Sequence, residues 1–182
     1  MAFNVAAFRA NLIGDGARPN LFQVTLTFPT LATNGTAAGQ QVQFLAKSAQ
    51  LPGSTIGTVP LYYFGREMKF AGNRTFTDWS LQIINDESFT IRTALEQWMS
   101  VINSHAGNVR NSAAANPSGY TVDAKVTQFG KDGKSLQDYN FVGLFPIDLA
   151  AIDLDWGSND TIEEYGVTFA YQYWTNANST DS

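Results

Sequence analysis

The chain has no cysteine, a single histidine, and not one Lys or Arg after residue 134. The first absence excludes disulfides, thiolate metal sites and cysteine nucleophiles, and suits the reducing interior of a cell. The lone imidazole, His105, cannot build a zinc site by itself. It follows a helical pattern beside Asn103, Ser104 and Gly107, where a surface or capping role fits better than that of a base for a serine nucleophile. No apolar run approaches the roughly 20 residues of a membrane span. Met1 to Arg9 lacks a basic segment followed by an apolar core, so a cytoplasmic, soluble chain is expected. Neither glycine-rich phosphate signature occurs after a strand pattern. A net charge of −5 argues against a surface that holds nucleic acid through clustered Lys and Arg. Asp148, Asp153, Asp155 and Asp160 lack the spacing of a calcium loop and read as solvated acids. No catalytic residue, cofactor site or metal ligand is assigned, and no enzyme is expected.

What the chain does have is an uneven charge distribution. Residues 135–182 carry eight acids and no base, whereas the first 134 carry eight acids against eleven bases. A molecule charged in this way can meet a copy of itself head to tail with opposite signs facing.

A length of 182 residues with 44% apolar content fits one domain with a substantial core. The expected domain is 1–182, with its core over 20–174 and mobile termini at 1–15 and 175–182. Strand signals dominate. Phe22, Val24, Leu26 and Phe28 alternate with Gln23, Thr25 and Thr27. After a polar turn cluster over Thr33–Gly39, Val42, Phe44 and Ala46 alternate as well, which predicts a hairpin. Leu51 to Thr55 and Pro60 break the pattern, so an extended loop or edge strand is expected up to Phe64. Trp79, Leu81 and Ile83 mark one face of the next strand. A hairpin turning at Asp132-Gly133 follows over Tyr120–Phe145, and Ile147–Leu154 reads as one more short strand. The closing strand runs from Glu164 to Trp174.

The period switches to helical once, over Ser88 to Asn103, where Ile91, Ala94, Leu95, Trp98 and Ile102 form one apolar stripe. Asp86 or Ser88 is expected to cap it, and Arg92 with Glu96 to sit on its solvated side. Ser104 to Gly119 has no apolar rhythm and is expected to be a mobile surface loop. The fold class is therefore mainly β, barrel-like or sandwich-like, with one amphipathic helix packed on the outside. An open sheet of this size leaves edges to manage, and rotation-related copies can close it into a shared barrel.

Three runs are similar to the tail tube proteins of T4-like contractile-tailed phages. They are Gly65 to Trp79, Ile84 to Arg92 together with Glu96, Trp98 and Met99, and Ser158 to Trp174. The resemblance spans about Leu21 to Trp174, with Asn73 where the family commonly has Asp. It implies a structural virion protein with no enzymatic activity, whose subunits form hexameric rings around a shared inner barrel. The rings stack into the tube that conducts DNA through the host envelope. It also implies partners: the sheath, the baseplate or tube initiator, the terminator, and the tape measure protein and DNA passing through the lumen without specific binding. The location implied is the virion tail, assembled in the host cytoplasm, with no membrane anchor. The inner tube of a tailocin or type VI-like injection system and a monomeric β-sandwich binding module are the alternatives.

Trp79, Trp98 and Phe169 read as core. Contacts between subunits are expected from Leu51, Pro52 and Gly53, from Tyr62 and Tyr63, and from Arg66 and Lys69 facing Glu163 and Glu164. Trp156 and Trp174 are either interface anchors or buried within the subunit.

Overall fold

Alternating side chains become sheet where one face meets the core, and the computed structural model, which describes residues 4–179, joins most of them in one sheet. In chain order the elements are α1 (Val5–Asn11), β1 (Phe22–Leu26), α2 (Gly35–Leu45), β2 (Ala46–Ala49), β3 (Ser54–Tyr63) and β4 (Arg66–Phe76). They continue with β5 (Trp79–Ile84), α3 (Thr90–Ile102), β6 (Val122–Phe129), β7 (Ser135–Leu149), β8 (Glu164–Ala170) and β9 (Tyr173–Thr175). The main sheet runs β1-β6-β7-β8-β5-β2, with β9 also on β7, while β3 and β4 pair only with each other. The expected mainly β class holds. Among the described residues, however, β1 and β2 are free edges and no closed barrel forms. The expectation of mobile ends covers residues 1–3 and 180–182, which lie outside the described residues.

The core follows from register. Opposite residues of an antiparallel pair share a face, and β5 and β8 set Trp79 against Phe169, Leu81 against Val167 and Ile83 against Tyr165. All six are buried. The helical stripe closes over them: Ile91, Ala94, Leu95 and Trp98 of α3 are buried. Trp98 meets Phe169 at 6.1 Å and Phe28 at 5.6 Å between ring centroids. Its indole N–H donates to the Tyr120 carbonyl at 2.7 Å. Trp79 is anchored in the same way, donating to the Gln50 carbonyl at 2.8 Å. The indole polarity is thus satisfied in a dry site.

Several expectations need correction. Residues 35–45 form a helix, not a turn and strand, so no hairpin joins them to β1. Gly35 and Gly39 explain this. They lie on one face of α2, and a Cβ at Gly39 would stand 2.8 Å from the Leu26 carbonyl oxygen while one at Gly35 would stand 2.8 Å from Phe28 Cβ. The two glycines let the helix lie directly on β1, with Ala38 and Val42 buried beneath it and Phe44 left exposed. The described residues form three α-helices, not one.

The start of α3 carries no side-chain cap either: Phe89 occupies that position with φ 52°. β7 continues through Pro146 to Leu149 with an irregular register at Pro146/Asp148, and residues 150–163 contain no strand. The closing strand breaks after Ala170, and Trp174 passes into β9 against Phe141. In the 104–119 segment, Ala114 is fully buried and the Asn111 N–H donates to the Val101 carbonyl at 3.1 Å, tying the loop to α3.

Arg92 is not merely solvated. It reaches Glu96 at 3.0 Å, as its spacing suggests, but it also donates to the Ala150 carbonyl at 3.1 Å. Its guanidinium lies 5.2 Å from the centre of the Tyr165 ring. The Tyr165 hydroxyl has no hydrogen-bond partner, and burial raises its pKa above the usual 10.0, with Arg92 opposing the shift. The sign follows directly. Below pH 10 the phenol is protonated in both folded and unfolded chains and contributes no pH dependence. As pH rises above 10 only the unfolded chain releases the proton, so stability falls. Tyr165→Phe should be neutral or stabilising by about 1 kcal/mol at pH 7, because it removes an unsatisfied buried hydroxyl, and should flatten the alkaline slope. Urea titrations at pH 7 and pH 11 measure both effects, and an unchanged slope would refute this.

Candidate self-assembly surface

Among the described residues the ribbon β3–β4 lacks a covering layer. Every residue of β3 is exposed, and β4 is exposed except at Gly72 and Phe76. Register shows that this is a one-sided surface. Val59 faces Phe70 and Leu61 faces Met68, whereas Pro60 faces Lys69 and Tyr62 faces Glu67 on the opposite side. One face is thus mostly apolar, with Tyr63 and Arg66 completing it at the tip, and the other carries the charges of Glu67 and Lys69, which approaches the pattern of a sheet packed on a core. Within the subunit no core is there: Val59 and Leu61 are 55% exposed and Phe70 is 52% exposed. A bare two-stranded ribbon is marginal in water.

Local geometry aims the ribbon outward. Its ten-residue β3 strand spans about 34 Å at ~3.4 Å per residue. Opposite Gly57, Gly72 leaves room for a close backbone approach, since a Cβ there would lie 3.0 Å from the Gly57 carbonyl oxygen. The register shifts at this point, which gives the ribbon added twist. The tip turns through Phe64 and Gly65, at φ 47° and 78°. A Phe in the left-handed region is strained by roughly 1–3 kcal/mol, yet its ring is 92% exposed and packs edge-on against Tyr63 at 4.5 Å. The sequence pattern allows an extended loop or an edge strand here, and Phe64 forms the tip of the edge pair that results. The available signal was a Phe-Gly pair between two alternating segments, which marks a two-residue hairpin turn.

The expected contact residues separate in the structure. Tyr62, Tyr63, Arg66 and Lys69 lie on the ribbon, and Leu51, Pro52 and Gly53 lead into it. Trp174 closes back on that entry, donating to the Gly53 carbonyl at 3.3 Å and meeting Tyr139 at 5.6 Å, so it is partly buried at home. Trp156 is the opposite case, fully exposed in the loop between β7 and β8. Glu164 holds Lys47 through both carboxylate oxygens, at 2.6 and 2.7 Å, and Glu163 accepts from the Asn85 side chain at 2.8 Å. Within the subunit neither reaches Arg66 or Lys69, and an exposed ion pair such as Lys47–Glu164 contributes only about 0–1 kcal/mol. His105 is exposed. Among the described residues no cluster of His, Asp and Glu is placed to hold a metal ion, and no helix is long and apolar enough to cross a membrane.

This arrangement, a β domain carrying a helix on its core and an uncovered ribbon beside it, is a fold also seen in contractile injection machines. The chain aligns with a subunit of the anti-feeding prophage tube-terminating cap over 90% of its own length and 91% of the other's (TM-score 0.63, 17% identity). It aligns with one from the PVC sheath-tube complex in the extended state over 96% and 98% (TM-score 0.58, 15% identity). At these identities the likeness carries the fold alone. Sequence carries the rest: the chain belongs to the phage tail tube protein family, a family of structural proteins, whose model matches residues 17–177. It is 34% identical over 167 residues to the tail tube protein gp19 of Enterobacteria phage T4, covering 91% of this chain and 95% of that one. It is 25% identical over 158 residues to the tail tube protein of Serratia phage KSP90, covering 87% of each.

Proposed function

We propose that this chain builds the inner tail tube of a T4-like contractile phage tail: subunits close into hexameric rings, the rings stack, and the tube conducts DNA through the host envelope. The carrying observation is the amphipathic β3–β4 ribbon with nothing on its apolar face. A copy related by rotation can cover that face and extend the open sheet edges toward a shared inner barrel. Such a heterologous contact closes a ring when the rotation closes. Val59, Leu61, Met68 and Phe70 are already about half covered, so burying the remainder contributes about 3–6 kcal/mol. Losing the freedom of a separate subunit costs about 4–15 kcal/mol. One contact is therefore marginal, and a closed ring, where every subunit makes two, is favoured.

Within this reading the ribbon residues Tyr62, Tyr63, Phe64, Arg66 and Lys69, the entry segment Leu51–Gly53 and the exposed Trp156 meet neighbouring subunits. Glu163, Glu164 and Trp174 flank those contacts. The sheath, initiator and terminator meet the assembled tube, and the tape measure protein and DNA pass through it. The chain acts as a virion tail component assembled in the host cytoplasm, and it catalyses no reaction. Its net charge of −5 supports a lumen that lets a duplex slide, because phosphates are held by clustered Lys and Arg. The higher identity to the T4 protein than to the injection-system chains supports a phage tube over a tailocin or type VI-like one. Negative-stain electron microscopy of the purified protein tests the reading. Six-fold rings and tubes are expected, whereas dispersed monomers at high concentration would overturn it.

A further inference from the structure

The loop between β7 and β8 presents an unusual knob. Trp156 is fully exposed, Leu154 is 79% exposed and Ile162 is 71% exposed. The loop holds its tip in a tight turn: the Asp155 carboxylate accepts the Gly157 N–H at 3.0 Å, and the Asp155 carbonyl accepts the Ser158 N–H at 3.1 Å. Asp153, Asp155, Asp160, Glu163 and Glu164 surround it, and among the described residues the only base paired with any of them is Lys47, on Glu164. The knob is therefore apolar at its tip, acidic at its rim and already ordered.

The far end of β7 carries the complement. Where β6 turns into β7, the N-terminal segment Ile13–Arg18 packs beside Gly130–Asp132 and Leu136 around a groove of about 510 Å³. An apolar cavity of about 150 Å³ already holds a benzene ring, so the groove has room for an indole. Ile13 is 92% exposed and Leu136 is 54% exposed. Lys131 bridges the two walls by pairing with Asp15 at 3.2 Å, and Lys134 pairs with Asp132 at 3.7 Å. Arg18, which lines the groove, makes no ion pair among the described residues, so the rim keeps one positive charge in surplus. Knob and groove lie at opposite ends of a 15-residue strand, up to roughly 50 Å apart. They cannot meet within one subunit. They can meet between two, and a contact joining opposite ends of identical molecules propagates without limit.

We propose that Trp156 of one copy seats in the groove between Ile13–Arg18 and Gly130–Leu136 of a second copy, as the head-to-tail contact that stacks subunits axially. This rests on the tube reading and assigns one of its interfaces. The absence of native cysteine makes the test clean: prepare the Ser158→Cys, Leu136→Cys and doubly substituted proteins, which keep Trp156, and treat each with a short bis-maleimide crosslinker. The double variant should give a ladder of covalent multimers on denaturing gels. An equal mixture of the single variants should give one crosslinked dimer that neither gives alone. Trp156→Ala should form at least tenfold less polymer than the unsubstituted protein at equal concentration, with an unchanged far-ultraviolet circular dichroism spectrum. No ladder, or undiminished tubes from Trp156→Ala, would overturn the contact. A ladder from a protein whose unsubstituted form makes neither rings nor tubes would keep the contact and discard the tube.

Discussion

Replacing Leu61 and Phe70 together by Ser should leave a folded subunit that forms neither rings nor tubes. Both side chains sit on the apolar face of the ribbon, diagonal to each other across β3 and β4, and more than half of each is already in water. Substitution therefore removes almost nothing from the subunit's own core, and its stability should stay within about 0.5 kcal/mol. The assembled state is different. A full burial contributes about 1.5–3 kcal/mol per side chain, and about half of each remains to be covered, so the pair weakens every contact by roughly 1.5–3 kcal/mol, or about 10–150-fold in dissociation constant. The loss recurs at every interface of a ring. Sedimentation velocity and negative-stain imaging against the unsubstituted chain measure it, with circular dichroism to confirm the fold. Tubes forming at the same concentration would show that the ribbon is not the self-assembly surface.

The second large effect lies in the core. Trp98→Ala should remove about 3–5 kcal/mol through the cavity it leaves, and the Tyr120 carbonyl, deprived of its indole donor, adds about 1 kcal/mol. A domain has only about 5–15 kcal/mol in total. At about 2–4 °C per kcal/mol for a chain of this size, the midpoint should fall by roughly 10 °C or more. The measurement belongs in the Leu61→Ser, Phe70→Ser background, because assembly would otherwise make the melting temperature depend on concentration. A midpoint that moves by less than a few degrees would mean that the Phe28, Trp98 and Phe169 cluster is not the centre of the fold.

These two predictions differ in how much of each was readable from the residues alone. Trp98 recurs with Ile91, Ala94 and Leu95 at helical spacing, and Trp79 alternates with Leu81 and Ile83, so their burial follows from a pattern that needs only one covering face. The β6–β7 hairpin was readable because Asp132-Gly133 supplies the turn that such a pair requires. The ribbon was readable only in part, as an extended loop or edge strand up to Phe64. Pro60 argued against a strand, and it is tolerated because β3 has a partner on one side only. Arg92 looked like surface because sequence spacing reports Glu96 but not the Ala150 carbonyl or the Tyr165 ring, which arrive from distant parts of the chain.

Periodicity in the residues was enough to define α3, β1, β5, β6, β7 and β8 and the aromatic centre they enclose, because each element buries one stripe against whatever lies beneath it. Contact distance settled the remainder. Gly35 and Gly39 read as turn formers until β1 is seen 2.8 Å from where their Cβ atoms would stand, and the opposite charges at the two ends of β7 acquire direction only once the strand is extended in space. A local pattern records that a side chain has a buried side, and the identity of the surface that buries it depends on atoms far away in the chain or in another copy of it.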